Sequence, residues 1–461
     1  MSPAPRPRFG PESGRSNDQI LGQKPEVAVV GAGLAGCLLA CCLARRGMTV
    51  RLYERRGDPR SGEPERGRSI NLAISERGLD ALRRIGLEDR VMADALPMRG
   101  RMIHPVDGPL DFQPYSADGR RAIHSIGRAD LNRALLDATE AAGVTVSFEH
   151  QLIELSPRDG EMDFETPQGK VRAEAEVVLG ADGAGSAVRG QLLDAGELEE
   201  TLDILDYGYK ELHLPPSRGE FALDPGALHI WPRASAMMIA LPNPDRSFTC
   251  TLFWPYGGTQ SLASLSSPAA IERHFRTHYP DVVPLALSLV EDYQRNPVGT
   301  LGTVHATPWH AHGRVGLVGD AAHAIVPFYG QGANCAFEDV IELDRCLDET
   351  GGDWSAALPL LERRRRPHTE AIGEMALDNF VEMRDRVASP AYRTAKRLEH
   401  ALERALPGLY VSRYELVSFS TTPYADVRRR ACRQHRLVAG AGALAAGALA
   451  AAVGRALTRG R

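Results

Sequence analysis

The chain has 461 residues, of which 43% are hydrophobic and 25% charged, as is typical of globular proteins. This length predicts two or three domains and excludes a disordered, collagenous or small disulfide-stabilised protein. The net charge of −5 gives no indication of a nucleic-acid partner. The seven cysteines form no C-x-x-C pair, which favours reduced thiols in a cytoplasmic setting over a disulfide framework or a zinc site.

Residues 1–24 are rich in proline, glycine and polar side chains and contain no apolar run. They are predicted to form a flexible tail and not a secretory signal. The apolar run Val27–Val30 that follows is typical of a buried parallel strand. A helix to Arg46 and a strand over residues 49–54 complete a predicted βαβ unit.

A glycine-rich turn, Gly31-Ala32-Gly33-Leu34-Ala35-Gly36, joins the strand and helix of this unit. In such a turn Gly31 allows the tight bend, Gly33 lets a pyrophosphate approach the helix N-terminus, and Gly36 lets helix and strand pack. Glu54, 23 residues after Gly31, is placed to accept hydrogen bonds from a ribose hydroxyl. The unit therefore predicts dinucleotide binding, with a structural glycine-rich turn as the alternative.

The predicted secondary-structure pattern changes twice along the rest of the chain. Helices are predicted over 75–85 and 130–142, and a strand over 144–148. Between about 200 and 300 the pattern becomes short strands separated by turn residues, which predicts an antiparallel sheet in a separate lobe. The α/β pattern returns at Val315, and the chain is predicted to be helical beyond residue 335.

Two further strand ends carry acidic residues. One apolar strand leads into Asp182-Gly183, and another, beginning at Val315, leads into Gly319-Asp320. A single Asp-Gly pair is more often a turn, but the glycine-rich unit and these two segments together, in this order, resemble the single-component aromatic flavin hydroxylases. The resemblance implies that FAD is held by the glycine-rich unit and Gly319-Asp320, and that Asp182-Gly183 is associated with both FAD and NADPH.

The resemblance becomes narrower in six segments, which look like those of the kynurenine 3-monooxygenase family: residues 67–73, 97–104, 228–233, 237–243, 247–253 and 323–332. It extends from about residue 26 to about residue 425. It implies an α/β fold with a Rossmann-like FAD-binding domain, an inserted antiparallel β-sheet substrate domain and a helical C-terminal region. The predicted division is a tail (1–24), the FAD-binding domain (25–199 and 301–345), the substrate domain (200–300), the helical region (346–436) and an apolar tail (437–461).

By the same resemblance, the amino-acid end of the substrate is bound by Arg101, Tyr115, Asn379 and Tyr414. A guanidinium with neutral donors around it is a good partner for a carboxylate. The substrate ring is expected to pack against Ile239, Leu241, Phe253, Pro327 and Phe328, for which plain core packing is the alternative. The expected cofactor contacts are Gly31, Gly33, Ala35, Gly36, Glu54, Arg55, Arg56, Ala73, Arg128, Leu152, Asp182, Asp320, Ala333 and Asn334.

The reaction implied by the resemblance is an NADPH-dependent hydroxylation of L-kynurenine to 3-hydroxy-L-kynurenine, by FAD and O₂ through a flavin C4a-hydroperoxide, in tryptophan degradation and pyridine nucleotide biosynthesis. The sequence does not distinguish NADPH from NADH. The first alternative is a hydroxylase of the same fold that acts on a related aminoaryl amino acid. The second is a non-catalytic FAD-binding or membrane-associated protein.

The C-terminal segment Leu437–Gly454 has 18 uncharged residues, mostly alanine and glycine, after an arginine-rich stretch. This is at the lower limit for crossing a bilayer, so a packed or frayed terminal helix is the favoured interpretation and weak membrane contact the alternative. The arginine-rich, lysine-poor composition suggests a bacterial, cytoplasmic protein. No metal site is expected: His274 and His278 lie four residues apart, but their spacing is interpreted as a solvated helix face.

Overall fold

The computed structural model of the chain describes residues 26–61, 71–438 and 440. The predicted N-terminal tail, residues 67–70 and most of the apolar C-terminal segment lie outside the described residues. The strands are β1 (Val27–Val30), β2 (Val50–Tyr53), β3 (Asn71–Ile74), β4 (Leu96–Met98), β5 (Gly100–Ile103), β6 (Asp111–Pro114), β7 (Ile123–Gly127), β8 (Thr145–Ser147), β9 (Gln151–Leu155), β10 (Glu161–Thr166), β11 (Gly169–Glu174), β12 (Val177–Gly180), β13 (Glu199–Leu214), β14 (Ala227–Arg233), β15 (Ala236–Pro242), β16 (Phe248–Pro255), β17 (Gly299–Thr307), β18 (His310–Ala311) and β19 (Val315–Leu317).

The helices follow the same α/β alternation and then dominate the C-terminal part. They are α1 (Leu34–Arg45), α2 (Glu76–Arg84), α3 (Glu88–Met92), α4 (Arg128–Ala141), α5 (Ala187–Asp194), α6 (Pro268–His278), α7 (Leu289–Arg295), α8 (Asp320–His323), α9 (Gly332–Glu349), α10 (Trp354–Val381), α11 (Pro390–Ala405), α12 (Arg413–Ser418) and α13 (424–438). Among the described residues, no helix is both long and apolar enough to span a bilayer.

The central sheet has the order β18-β19-β12-β1-β2-β8, with β1 paired in parallel to both β12 and β2. Strand β1 is buried on both faces: Val27 and Val29 pack in one hydrophobic core, Ala28 and Val30 in another. This explains why β1 is apolar at every position, since parallel strands covered on both sides leave no face for polar residues. The predicted α/β fold with a dinucleotide-type βαβ unit is confirmed.

A second sheet has seven strands in the order β17-β13-β16-β15-β14-β5-β6. The sequence assigns only residues 200–300 to this sheet, but most of β17 lies beyond residue 300, and two strands, β5 and β6, come from residues 100–114. Each is only four residues long, too short for alternation of polar and apolar residues to reveal it. The division of the chain into domains therefore stays a prediction.

The seven-stranded sheet separates two hydrophobic cores. One face, with Trp231 and Phe248, packs against α6 and α7. The other face, with Ile230 and Phe253, packs against α10 and residues 416–427. Helix α10 ends at Val381 and continues into a π-helical turn, Glu382–Arg386. The substrate residues predicted on β5 and α10 therefore meet at this second face.

Candidate active site

The glycine-rich turn after β1 has the geometry that a dinucleotide requires. Gly31 has a φ of +103°, and a Cβ there would lie 2.6 Å from the Cα of Asp182. A Cβ at Gly36 would lie 1.8 Å from the carbonyl oxygen of Gly31, so helix and turn pack closely only with glycine. At Gly33, by contrast, an added Cβ would meet no other atom within 4 Å. The turn thus leaves open space at the N-terminus of α1.

Glu54 closes this turn from the end of β2. Its carboxylate accepts a hydrogen bond from the backbone N–H of Ala32 at 2.9 Å and from Nε of Arg56 at 2.8 Å. The carboxylate is buried beside the turn, whereas the side chains of Arg55 and Arg56 are exposed around it. The structure therefore brings the predicted ribose acceptor to the predicted phosphate turn.

The Gly319-Asp320 segment lies opposite the turn. Gly319 has a φ of +64°, and a Cβ there would come within 2.9 Å of Ala336 and 3.5 Å of Ala35. Its N–H donates to the carboxylate of Asp339 at 3.0 Å, which also accepts from Nε of Arg365 at 2.6 Å. A fully buried carboxylate on α9 therefore fixes the backbone that presents Asp320.

Several polar groups around this space have no partner among the described residues. Helices α1 and α9 begin at Gly33 and Gln331 without a side-chain cap, so their first N–H groups are free for an anion. Arg128 makes no ion pair and the Asp320 carboxylate accepts no hydrogen bond among the residues that the structure describes. Burial raises the pKa of Asp320. These groups fit a dinucleotide with a negatively charged pyrophosphate and ribose hydroxyls.

Asn334, near the start of α9, joins the two halves of this region. Its amide donates to the carbonyls of Ala73 at 3.1 Å and Gly330 at 2.9 Å, and its oxygen accepts from the N–H of Ser75 at 3.0 Å. Ala333 lies beside it on the same helix. The predicted contacts Ala73, Ala333 and Asn334 thus lie together at one edge of the space.

Two predicted cofactor residues are engaged elsewhere. The Asp182 carboxylate accepts hydrogen bonds from Oγ of Ser186 at 2.5 Å and from the N–H of Ala187 at 2.6 Å, so it caps the start of α5. Leu152 packs in the core between the central sheet and β10. Their roles toward a cofactor stay predictions, and the Asp182 side chain has a structural function of its own.

The four predicted substrate residues form one cluster. Arg101 on β5 donates from Nη2 to the side-chain oxygen of Asn379 at 3.2 Å, and its guanidinium lies 5.1 Å from the ring centroid of Tyr414. The Tyr414 ring stacks on Tyr115 with centroids 4.6 Å apart. Asn379 in turn donates to the carbonyl of Phe328 at 2.6 Å. Residues almost 300 positions apart in the chain therefore meet around one cation.

Two polar atoms of this cluster lack partners among the described residues: Nε of Arg101 and the hydroxyl of Tyr115. Both are buried, and a buried polar atom without a hydrogen bond is costly. Burial also raises the pKa of the Tyr115 hydroxyl, so it is a neutral donor. An unpartnered N–H of a guanidinium and a neutral hydroxyl donor fit a carboxylate ligand.

Glu382, which the sequence analysis did not identify, completes the cluster. Its carboxylate lies 3.1 Å from Nη1 of Arg101 and accepts from the hydroxyl of Tyr392 at 2.6 Å. Burial opposes its ionisation, but Arg101 and Lys396 outweigh that effect and lower the pKa of Glu382 to about 2. Glu382 follows Asn379 by three residues on a helical segment, a spacing that places both on one face and that identifies it in retrospect.

The predicted ring-binding residues lie next to this cluster. Phe253 and Phe328 contact each other with centroids 5.0 Å apart, and Ile239 packs against the same core. Leu241 packs with Tyr115 and Tyr414. Pro327 is exposed at the start of the turn that carries Phe328. The apolar wall and the Arg101 cluster therefore adjoin, while the alternative of plain core packing applies to Phe253 and Phe328 equally well.

The histidines of α6 differ from the sequence-based interpretation. His274 is not on a solvated face: its ring packs on Trp254 with centroids 4.4 Å apart, and burial lowers the pKa of His274 to about 4. The spacing was misleading because α6 covers the seven-stranded sheet with this side. Elsewhere, His323, Cys335 and Asp339 lie close together, but the Asp339 oxygens already accept from His323, Arg365 and Gly319.

Comparison with known proteins agrees with this geometry. A family model described as an FAD binding domain matches residues 24–374. The chain is 46% identical over 407 residues to the kynurenine 3-monooxygenase of Stenotrophomonas maltophilia (strain K279a), which covers 88% of this chain and 89% of that protein. It is 47% identical over 406 residues to the kynurenine 3-monooxygenase of Myxococcus xanthus (strain DK1622), with 87% of each chain covered.

A solved structure supports the fold. The tetrameric form of 2-methyl-3-hydroxypyridine-5-carboxylic acid oxygenase superposes with a TM-score of 0.64 at 23% identity, over 82% of this chain and 97% of that one. The fold, the open space at two uncapped helix ends and the identities to named relatives lead to one conclusion. The chain belongs to the kynurenine 3-monooxygenase family of FAD-binding flavin monooxygenases.

Proposed function

We propose that this enzyme hydroxylates L-kynurenine to 3-hydroxy-L-kynurenine with NADPH and O₂. The observation that carries the proposal is the buried Arg101 cluster, in which Nε of Arg101 and the hydroxyl of Tyr115 have no partner among the described residues. The names of the relatives support the same substrate. Kynurenine has the three features that this site can recognise: a carboxylate, an ammonium group and an aromatic ring.

The carboxylate is bound by Arg101 and Tyr115. A charge-assisted, two-point contact from a guanidinium fixes both the position and the orientation of a carboxylate. Asn379 and Tyr414 hold the guanidinium in place, the first by a hydrogen bond at 3.2 Å and the second by its ring face. The amino-acid end of the substrate then determines where its ring lies.

The ammonium group is bound by Glu382. The Glu382 carboxylate is only partly exposed and is ionised, and it lies 3.1 Å from the guanidinium of Arg101. A cation and an anion side by side match the two charges of an α-amino acid. The pairing of Glu382 with Arg101 also neutralises both side chains when no substrate is bound, which lowers the cost of burying them.

The aromatic ring packs against the apolar wall formed by Ile239, Leu241, Phe253, Pro327 and Phe328. These side chains position the ring and exclude water from the reacting carbon. The amino group of the ring makes the neighbouring carbon electron-rich, so the protein needs no strong base there. Positioning and exclusion of water are therefore the tasks of the pocket.

The cofactor contacts of the first βαβ unit are Gly31, Gly33, Ala35, Gly36, Glu54, Arg55 and Arg56; those elsewhere are Ala73, Arg128, Leu152, Asp182, Asp320, Ala333 and Asn334. Bound FAD supplies the redox chemistry, taking electrons from NADPH and activating O₂. Within this set, the N-terminus of α1 binds the pyrophosphate and Glu54 accepts from a ribose hydroxyl. The N-terminus of α9 lies beside Asn334 and Asp320, where a positive helix end stabilises negative charge.

A cytoplasmic location is part of this proposal, and its partners are small molecules only. All seven cysteines are free thiols, which fits a reducing compartment. We also propose the domain division given above, with the FAD-binding domain interrupted by the substrate sheet. Contact of the C-terminal segment with a membrane is not needed for this function.

The test is NADPH oxidation by the purified, FAD-loaded protein with and without L-kynurenine, with the product analysed by mass. We expect a strong increase in rate and a product that has gained one oxygen atom. An increase that yields only hydrogen peroxide would make kynurenine an effector and favour a related aminoaryl amino acid as substrate. No increase at all would contradict the proposed substrate.

A further inference from the structure

Two buried histidines contact each other on the far side of the strand that carries Arg101. Nε2 of His104, just after β5, lies 2.9 Å from Nδ1 of His229 on β14. Nδ1 of His104 lies 2.7 Å from the Asp281 carboxylate, and Nε2 of His229 lies 2.9 Å from the carbonyl oxygen of Asp224. Both rings are at most 4% exposed. All four ring nitrogens are therefore in hydrogen-bond contact.

The chemistry of these partners fixes the number of protons. A backbone carbonyl only accepts, so Nε2 of His229 must carry a hydrogen. The Asp281 carboxylate also accepts from Nε1 of Trp231 at 2.8 Å, so Nδ1 of His104 must carry a hydrogen as well. The contact between the two rings needs a third hydrogen. Three hydrogens on two rings are one more than two neutral histidines hold, so the pair carries one positive charge.

Two of the groups in this network have shifted pKa values. Burial lowers the pKa of His229 to about 4. Burial also opposes ionisation of Asp281, but hydrogen bonds from His104 and Trp231 outweigh this and lower the pKa of Asp281. The charged or titratable groups that face the pair from the surrounding elements are Asp224 before β14, Arg233 at its end, and Tyr279 and Asp281 after α6.

The histidine pair spans the seam between β5 and β14, which is the one parallel strand pairing described in the seven-stranded sheet. Strand β5 is paired in parallel to β14, with Arg101 opposite Leu228, whereas every other pairing among the described strands of this sheet is antiparallel. Beyond β5 lies only β6, a four-residue edge strand. The seam therefore attaches a two-stranded edge unit, and Arg101 with it, to the rest of the sheet.

Loss of the extra proton would place two nitrogen lone pairs opposite each other at 2.9 Å. Such a contact is repulsive, and it lies three residues from Arg101. The backbone N–H of His104 also donates to Ile230 at 2.8 Å, so movement of the ring strains the same seam. The repulsion between the two rings therefore affects the position of Arg101 through the backbone of β5.

We propose that His104 and His229 are positioning residues for Arg101, which hold β5 against β14 only while they share the additional proton. The inference concerning substrate affinity rests on the proposed function, because it is Arg101 that binds the substrate carboxylate. The seam itself is independent of that function. Raising the pH therefore loosens β5 and weakens the binding of L-kynurenine.

The first test is hydrogen exchange of the FAD-loaded full chain, read by mass spectrometry on a peptide that covers β5. We expect the protection factor of β5 to fall about tenfold between about pH 6.5 and about pH 8.5. The protection of β16, an interior strand of the same sheet, should stay constant and serves as the internal control. A β5 protection factor that does not change with pH would overturn the proposal.

Two variants separate proton loss from a merely structural effect. The amide of His104→Gln can donate to both Asp281 and His229 without titrating, so the loss of protection should shrink to less than about twofold. Asp281→Asn removes the charge that faces the pair, so the loss should move to lower pH. If His104→Gln fails to fold, the pH dependence of β5 protection in wild type and in Asp281→Asn tests the proposal on its own. Wild-type pH dependence in either variant would overturn the proposal.

The second test is the pH dependence of the Kd for L-kynurenine in wild type and His104→Gln. Titration of the substrate affects both proteins equally, so their difference reports the histidine pair. We expect the Kd of wild type to rise about tenfold more than that of the variant over the same range. Equal profiles would overturn the link to Arg101. No binding at any pH, with the exchange result intact, would contradict the proposed function and not the proton-dependent seam.

Discussion

Arg101 and Glu382 form a largely buried ion pair, with Nη1 and Oε1 3.1 Å apart, in the cluster where a substrate carboxylate is expected. They come from β5 and from the π-helical turn after α10, two elements of different parts of the chain. The pair presents both charges of an amino-acid recognition site.

Arg101→Ala should raise the KM for L-kynurenine by about 30- to about 1000-fold, because a charge-assisted pair worth about 2–4 kcal/mol is lost. Arg101→Lys should recover only part of this, since an ammonium group cannot make the two-point contact. FAD content should stay unchanged in both. Steady-state kinetics with Arg120→Ala, an exposed loop arginine, as control measure the effect. A normal KM for Arg101→Ala would show that the carboxylate binds elsewhere.

Glu382→Gln should raise the KM for L-kynurenine about tenfold or more, because a hydrogen bond between charged groups is worth about 1.5–3 kcal/mol. The same variant should have little effect on the analogue that lacks the α-amino group, since that compound offers no ammonium to bind. The ratio of the two KM values is the measurement. Equal effects on both compounds would mean that Glu382 acts only through Arg101.

Asp339→Asn should weaken FAD binding, because this carboxylate fixes the N–H of Gly319 and pairs with Arg365. Removing one partner of a buried ion pair costs about 3–5 kcal/mol. The matched control is Asp344→Asn on the same helix, whose half-exposed pair with Arg46 should be worth about 1 kcal/mol or less. Thermal unfolding and FAD release measure both variants. Equal stability losses in the two would contradict this role.

Glu211→Gln should stabilise the cofactor-free protein at high pH. Burial raises the pKa of Glu211 from 4.5 to about 7, although Arg128 acts in the opposite direction, and its Oε2 has no partner among the described residues. The folded state therefore binds a proton that the unfolded state releases, and stability falls as pH rises from 4.5 through 7. At about pH 8 the variant should gain about 3 kcal/mol in the free energy of unfolding.

The gain should disappear well below pH 4.5, where the side chain is protonated in both states. Glu220→Gln, on an exposed side chain, should be neutral at every pH. Denaturant unfolding at several pH values measures the three proteins. A variant that is less stable than wild type at high pH would show that Glu211 is ionised and paired.

The sequence predicts most of the FAD-binding part of the fold because its signals are local. The turn from Gly31 to Gly36 and the strand before it lie within ten residues, and close backbone contacts explain the glycines at positions 31 and 36. The strands β5 and β6 were not predicted, because four-residue edge strands carry no readable alternation. The pairing of β5 with β14 depends on contacts between residues 127 positions apart.

The residues of the candidate site also divide into those that the sequence predicts and those that only the structure reveals. Arg101, Tyr115, Asn379 and Tyr414 were found through a family resemblance, and the structure brings them together. Glu382 was missed, although its position three residues after Asn379 on one helix was a usable signal. The contact between His104 and His229 has no local signal at all. The donors and acceptors around the two rings can be counted only when the structure shows the hydrogen-bond partners of both.

The proposed hydroxylation is tested most directly by analysing the product formed from L-kynurenine under ¹⁸O₂ by the FAD-loaded enzyme with NADPH. We expect 3-hydroxy-L-kynurenine that carries one ¹⁸O atom, at the ring carbon next to the amino group. Unlabelled product, a hydroxyl group at another position, or unchanged kynurenine with hydrogen peroxide as the only product would contradict it.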